Sequence, residues 1–354
     1  YYVGKHGNDS NDGLNYTNAV LTFGQAITLV NAEGPGAANR FAIICEDAGI
    51  YTESFTVPNY TTVYAPSAII KGSIVMGNAS TIYLARVDNT DTTDNYAIHV
   101  NNTAPFTAIN VNEIYAYKTG IRIYSDAGDA GDIYFNIEYL EYGATGYGII
   151  TAGPIKPKAY GYIKKIYTSL GDIAINISQT EDCYIKFNSI INDNSGAVQV
   201  GSGGKAYISG DHISSAETCL YVHDTNSELN VNINKIESSS AQAMLASLSG
   251  SLSGHIGVAK GVWGIDSLGG YVDNISIDYL YGSTSTIRIA KYSGVVGSVK
   301  ANIVYLYSGQ YGICMDDYGS PQNGQGYADL IIDVWEHSDS TSAVSYTHLT
   351  LPTN

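Results

Sequence analysis

Few side chains of this chain are equipped for chemistry, and their spacing decides between several kinds. Asp211-His212 and His223-Asp224 each set an imidazole beside a carboxylate, the minimum for a general base. The repeat register described below places no Ser or Cys beside either pair, so the nucleophile that such a base would activate is missing. Asp316-Asp317 supplies the two carboxylates that a glycoside hydrolase uses. Consecutive strand residues point to opposite faces, however, and the dipeptide reads as a solvated turn. A calcium-loop reading of the opening segment would put Asn8, Ser10, Asp12 and Gly13 at the first, third, fifth and sixth places. It fails at the twelfth, Ala19, where a bidentate Glu is needed. A phosphate loop, GxxxxGK[ST], is absent. "GNDSNDG" (7–13) is therefore expected to be a turn, with a structural cation at Asp9 and Asp12 as the weaker alternative. Cys45, Cys183, Cys219 and Cys314 stand far apart with no metal-binding spacing, and are expected to remain mostly buried thiols rather than disulfides. No catalytic residue, metal or cofactor is assigned. The aromatics are more telling. Tyr279, Tyr281, Tyr305, Tyr307 and Trp335 recur at matching places near the C-terminal end and are the candidate glycan-binding or subunit-contact residues. Such rings can hold sugars or pack a neighbouring subunit; the plainer alternative is a ladder that only stabilises the fold.

These residues are positioned by a repeat. "INVNEIYA" (109–116), "FNIEYLEY" (135–142), "GYIKKIYT" (161–168), "IKFNSIIN" (185–192), "ISGDHISS" (208–215) and "VNINKIES" (231–238) share apolar or small residues at their first, third and sixth places. "GHIGVAKG" (254–261), "ISIDYLYG" (275–282), "ANIVYLYS" (301–308) and "DLIIDVWE" (329–336) continue the series. The sixth places, from Ile114 to Val334, are separated by 21 to 28 residues. The first and third places alternate as on a strand, and a corner after the third lets the sixth point inward again. A second short strand follows in most units, as in "GIRIY" (120–124) and "CLYV" (219–222). In this frame the seventh place holds Tyr115, Tyr167, Tyr281, Tyr307 and Trp335, and the fifth holds Tyr139, Tyr279 and Tyr305. Short strands repeating at this period predict a parallel β-solenoid, in which each coil buries its inward side chains against its neighbours. Upstream, "LTFGQAITLVNAEG" (21–34) has helical spacing, a possible capping box at Thr22 and Gln25, and a stop at Gly34. Such a helix is expected to cover the open end of the first coil.

Composition agrees. Of 354 residues, 38 are Gly and 31 Tyr, and only 14% are charged, which suits short strands and many turns rather than a helical bundle. The formal net charge of −16 disfavours nucleic acid and anionic membranes as partners, and no stretch approaches a membrane span. Residue 1 is Tyr rather than Met, so the natural start is expected upstream.

"FAIICEDAGIYTESFTVPNYTTVYAP" (41–66), with Gly49, Tyr51, Glu53 and Val57-Pro58, resembles the first coils of right-handed parallel β-helix proteins of the pectate-lyase-like superfamily. The segment 2–30 resembles that superfamily's frequent opening of strand, Gly/Asp/Asn-rich turn and helix. The resemblance implies an all-β, right-handed parallel β-helix with a short N-terminal capping helix. Its expected organisation is 1–40 for the strand, turn and cap, and 41–343 for the coils. Residues 344–354 ("VSYTHLTLPTN") resemble a translated sequencing adaptor, as in a truncated metagenomic gene, and are left outside the fold. The superfamily holds lyases, hydrolases, esterases and phage tailspikes, so fold alone selects no function. The Trp-Ile-Asp-His and paired-arginine motifs of pectate lyases are absent, and "WGID" (263–266) is a superficial echo. Of the polygalacturonase motifs only Asp316-Asp317 has a counterpart, and the methylesterase strand is missing. The expected function is therefore a phage tail-fibre or tailspike-type structural and receptor-binding module, with a cell-surface glycan as partner. It is expected on a virion tail or outside the cell, as a homo-oligomer, with a trimer as the expected form. A secreted polysaccharide lyase or glycoside hydrolase is the alternative, and a bacterial surface adhesin a third.

Overall fold

Apolar residues at alternate places, interrupted once per repeat, wind this chain into stacked coils. A computed structural model describes residues 1–90, 94–101, 106–124, 131–143, 145–153, 158–179, 182–292, 295–317, 326–337 and 349–351, with backbone only at 315–317, 326, 337 and 349–351. It is an all-β parallel β-solenoid of about 11 turns with one short helix near the N-terminus. The chain divides into two compact units, Tyr1–Gly171 with Thr180–Asp182, and Asp172–Gln179 with Cys183–Asn354.

The first unit begins with the cap. Phe23–Ala32 is helical and buries Phe23, Ala26 and Val30. Phe23 stacks on Phe55 and meets Tyr51 edge-on, with ring centroids 5.3 and 4.9 Å apart, so the helix covers the first coil as expected. Thr22 Oγ1 accepts from Gln25 N at 3.1 Å. The other half of the expected capping box comes from elsewhere. Thr22 N donates to Asp9 Oδ1 at 3.0 Å. Phe23 N and Gly24 N donate to the Glu53 carboxylate at 2.9 and 2.8 Å, satisfying N–H groups that a helix start leaves unpaired. Gly34, at φ +70°, ends the helix.

The strands Phe106–Ala116, Asp132–Tyr142 and Ala159–Thr168 lie parallel in register, with Ile114, Leu140 and Ile166 aligned. Ile109, Val111 and Ile114 are buried, as are Phe135, Ile137 and Leu140, at the first, third and sixth places. Each such side chain contributes roughly 1.5–3 kcal/mol when fully buried. The register pairs Val111 with Ile137 and next Glu113 with Tyr139, skipping Asn112 and Glu138. The fourth place is thus the corner, a one-residue kink inside a continuous strand. The eighth place also turns inward: Ala116, Tyr142 and Thr168 are buried. Coils compensate one another in size. A Cβ on Gly161 would lie 1.7 Å from Phe135 Cε2, so the Phe ring occupies the space its neighbour leaves open.

In the second unit Cys183–Asn192, Lys205–Ser215, Glu228–Ser238 and Ser251–Leu268 follow the same plan. Val198–Gly201, Leu220–Val222 and Gln242–Ser247 form second strands. Tyr271–Tyr292 and Val295–Ser308 have register partners that ascend together from Tyr271 with Ser298 to Gly282 with Ser308. Their near ends, Lys291 with Val296 and Tyr292 with Val295, close as a hairpin.

One expectation is corrected here. The pairing of Ala301 with Leu330 and Leu306 with Trp335 shifts the last repeat by one residue, to 330–337. Trp335 therefore occupies the sixth place, not the seventh, and Val334 stands opposite Tyr305. Leu349–Leu351, within the run left outside the fold, pairs antiparallel with Ala328–Leu330. The open edge of a last coil accepts any extended segment that reaches it.

Candidate functional site

Four of the five predicted aromatics come together in the second unit. Tyr279 and Tyr281 lie in one strand, and Tyr305 and Tyr307 opposite them in the next. The rings run in a zigzag: Tyr279 to Tyr305 at 5.7 Å, Tyr305 to Tyr281 at 6.3 Å and Tyr281 to Tyr307 at 5.9 Å. Their planes are tilted by 41–45°, so each leaves part of its face to solvent, and Tyr279 is 46% exposed. Tyr305 Oη donates to Glu336 Oε2, which fixes one ring. Trp335 stands at a different place in the repeat. At the sixth place it packs against Gly312, and its Nε1 donates to Ser308 Oγ at 3.2 Å.

A depression of about 310 Å³ adjoins the strip. It is lined by Ser214, Glu237, Ser239, Lys260 and Ser283 among others, and Lys260 is the register partner of Tyr281. Lys235 Nζ sits 2.8 Å from Glu237 Oε2 and His212 Nε2 3.4 Å from it. The Lys235 hydrogen bond holds the Glu237 carboxyl below its usual range against the opposing effect of burial, with help from His212. The face thus offers tilted aromatic planes beside hydroxyls, an ammonium and a carboxylate. It can stack a ring and hydrogen-bond its substituents.

The His/Asp pairs do not assemble a reaction centre. His223 Nδ1 lies 2.9 Å from Asp224 Oδ2 and His223 Nε2 lies 2.7 Å from Gln199 Nε2, so both ring nitrogens are engaged. Burial works to raise the Asp224 carboxyl, but Ser202 N–H and His223 bring it below its usual range. Asp211 and His212 diverge at the corner: Asp211 accepts from Asn234 Nδ2 at 2.9 Å, whereas His212 faces Glu237. Asp316 and Asp317 pair through their backbones with Ala290 and Lys291, and their side chains lie outside the described residues. Asp9 accepts three hydrogen bonds, from Leu21 N, Thr22 N and Thr22 Oγ1, and Asp12 accepts from Leu14 N at 3.0 Å, so the opening acids brace a turn. Among the described residues no three His, Cys, Asp or Glu side chains group to hold a metal. All four cysteines are thiols. Burial pushes Cys45 up to about 11 and Cys183 and Cys219 up to about 12, leaving them protonated.

One cluster escaped sequence reasoning. Arg288 Nε donates to Asp266 Oδ1 at 2.9 Å, and its Nη2 pairs with Asp266 Oδ2. The guanidinium lies 4.0 Å from the centroid of the Trp263 ring, and Gln242 Nε2 donates to Asp266 Oδ2 at 3.0 Å. Burial raises the Asp266 carboxyl, with Arg288 opposing. The signal was present in "WGID": a lone acid in an apolar strand, with an Arg 22 residues on, which is one coil. The chain matches no family model, no curated protein and no solved structure.

Proposed function

We propose that this chain is a structural and glycan-binding β-solenoid of the phage tail-fibre or tailspike type, borne on a virion tail. The observation that carries the reading is the solvent-facing zigzag of Tyr279, Tyr305, Tyr281 and Tyr307 beside a depression lined by Ser, Lys and Glu. Such a face suits a surface polysaccharide, whose sugar rings stack and whose hydroxyls take hydrogen bonds. The solenoid fold supports the reading, because stacked coils repeat a weak subsite at fixed spacing. Association into a trimer would multiply weak contacts further.

The test is an array of bacterial surface polysaccharides probed with the whole chain, together with its mass in sedimentation. Binding should fall about tenfold in Tyr305→Ala and Tyr281→Ala, since rings at the centre of a contact carry most of its energy. A silent array, or binding indifferent to both variants, would sink the proposal. Release of unsaturated uronates or new reducing ends from the same polysaccharides would instead favour a lyase or hydrolase.

A further inference from the structure

A second tyrosine column rises on a different set of places. Tyr184 and Tyr207 occupy the place just before the first of their repeats and are register partners. Their rings are stacked at 4.6 Å with planes only 6° apart, unlike the tilted strip described above, and each residue is 40% exposed. In the next coil the partner of Tyr207 is Asn230, and the partner of Asn230 is Ser253. The column therefore loses its ring at Asn230 while the backbone continues unchanged. A depression of about 150 Å³ opens there. Tyr207 forms one wall, and Lys205, Glu228, Asn230, Ser251 and Ser253 form others.

We infer that this missing rung is a binding site for a single uncharged pyranose ring, stacked on Tyr207 in the place a tyrosine of the next coil would take. Stacking on Tyr207 asks for a flat, C–H-bearing face, which one side of a pyranose presents. The remaining lining asks for hydroxyls. Asn230 Nδ2 donates to Ser253 Oγ at 3.0 Å, and the amide has a second hydrogen and its Oδ1 for a ligand. Lys205 Nζ and Glu228 Oε1 are 2.8 Å apart and cancel each other's charge, so the site attracts neither an anionic nor a cationic sugar. A purely aromatic ligand would leave this polar lining without partners, at a cost in free energy. The inference rests on Tyr184, Tyr207 and Asn230 and shares no residue with the strip at Tyr279 to Tyr307.

The experiment is saturation-transfer NMR on the whole chain with methyl glycosides of glucose, galactose, N-acetylglucosamine and rhamnose, and with p-cresol as the aromatic control. At least one glycoside should receive saturation, strongest on the C–H protons of one ring face. In the Tyr281→Ala background, which weakens the strip's own contribution, Asn230→Tyr restores the rung and should abolish the remaining signal while the melting temperature holds or rises. Tyr207→Ala should weaken affinity by roughly three- to tenfold. Tyr64→Ala, an exposed ring that belongs to neither site, should leave it unchanged. The inference is overturned if no glycoside responds, if p-cresol responds in their place, or if the signal of the Tyr281→Ala background survives both Asn230→Tyr and Tyr207→Ala. A signal lost in Tyr307→Ala but kept in Tyr207→Ala would also overturn it, while leaving the reading of the tyrosine strip intact.

Discussion

Asp266 alternates with Ile265 and Ser267, so it points away from the core, yet solvent does not reach it. Arg288 and Trp263 cover it: the side chains of Asp266 and Arg288 are 0% and 13% exposed. A buried ion pair contributes little over a well-packed apolar pair, because both charges lose water. Removing one partner is different, since the other is left charged in a dry site. Arg288→Ala should therefore cost about 3–5 kcal/mol in urea unfolding. Asp266→Leu combined with Arg288→Met should recover most of that loss. A double variant as unstable as Arg288→Ala would mean that the cation over Trp263, rather than the pair, holds the site together.

At the scale of the strand, inside and outside are set by place in the repeat. Ile233 is buried at a third place and Asn232 beside it is exposed. Ile233→Asp puts an unpaired charge between coils and should cost more than about 4 kcal/mol, whereas Asn232→Asp should stay within about 0.5 kcal/mol. Equal losses in thermal melts would contradict the inward assignment. The first, third and sixth places were legible because Ile, Leu and Val mark them in coil after coil. The eighth was not, because Thr168, Asn192, Ser215 and Ser238 fill it with polar groups. Those groups serve the turns: Asn192 Nδ2 donates to Gly196 O at 2.8 Å, and Asn192 Oδ1 accepts from Ser195 N at 2.9 Å. Hydropathy alone could not reveal an inward place whose task is hydrogen bonding. Trp335 was misplaced for the opposite reason: Leu330, Ile331, Ile332, Val334 and Trp335 are all apolar, and either of two frames satisfies them. The tyrosine strip was legible because its four members lie in two coils with an unambiguous frame. The Asp266–Arg288 pair forms no local motif, and only a register one coil long brings it together.

Across the whole molecule, charge and burial set opposite limits on stability as the pH changes. The formal charge of −16 at pH 7 is self-repulsive, and protonating all seven histidines would add seven positive charges and leave −9. Mild acid should therefore relieve repulsion. Asp47 limits that gain. Burial works to raise its carboxyl, but Lys5 N–H at 2.7 Å, Tyr51 Oη at 2.8 Å and Gly49 N–H at 3.0 Å bring it below its usual range. Asp224 and Glu237 are lowered as well. A carboxyl lowered by folding contributes its full stabilisation above the unfolded value and loses it as the pH falls through the folded one. Asp266, raised by burial, acts in the reverse sense, and its cost to the fold shrinks as the pH drops. Because Asp47, Asp224 and Glu237 lose this stabilisation in acid, the melting temperature should hold or rise from pH 7 to about 5 and fall below about pH 4. Melts at fixed ionic strength give the profile. Asp47→Asn should flatten the acid limb because an amide does not titrate, at the cost of some stability at pH 7, since its Nδ2 cannot accept from Lys5 N–H while its oxygen keeps Gly49 N–H and Tyr51 Oη. If that variant lost stability in acid as steeply as the parent, the N-terminal cradle of Lys5, Asp47 and Tyr51 would not be what acid breaks.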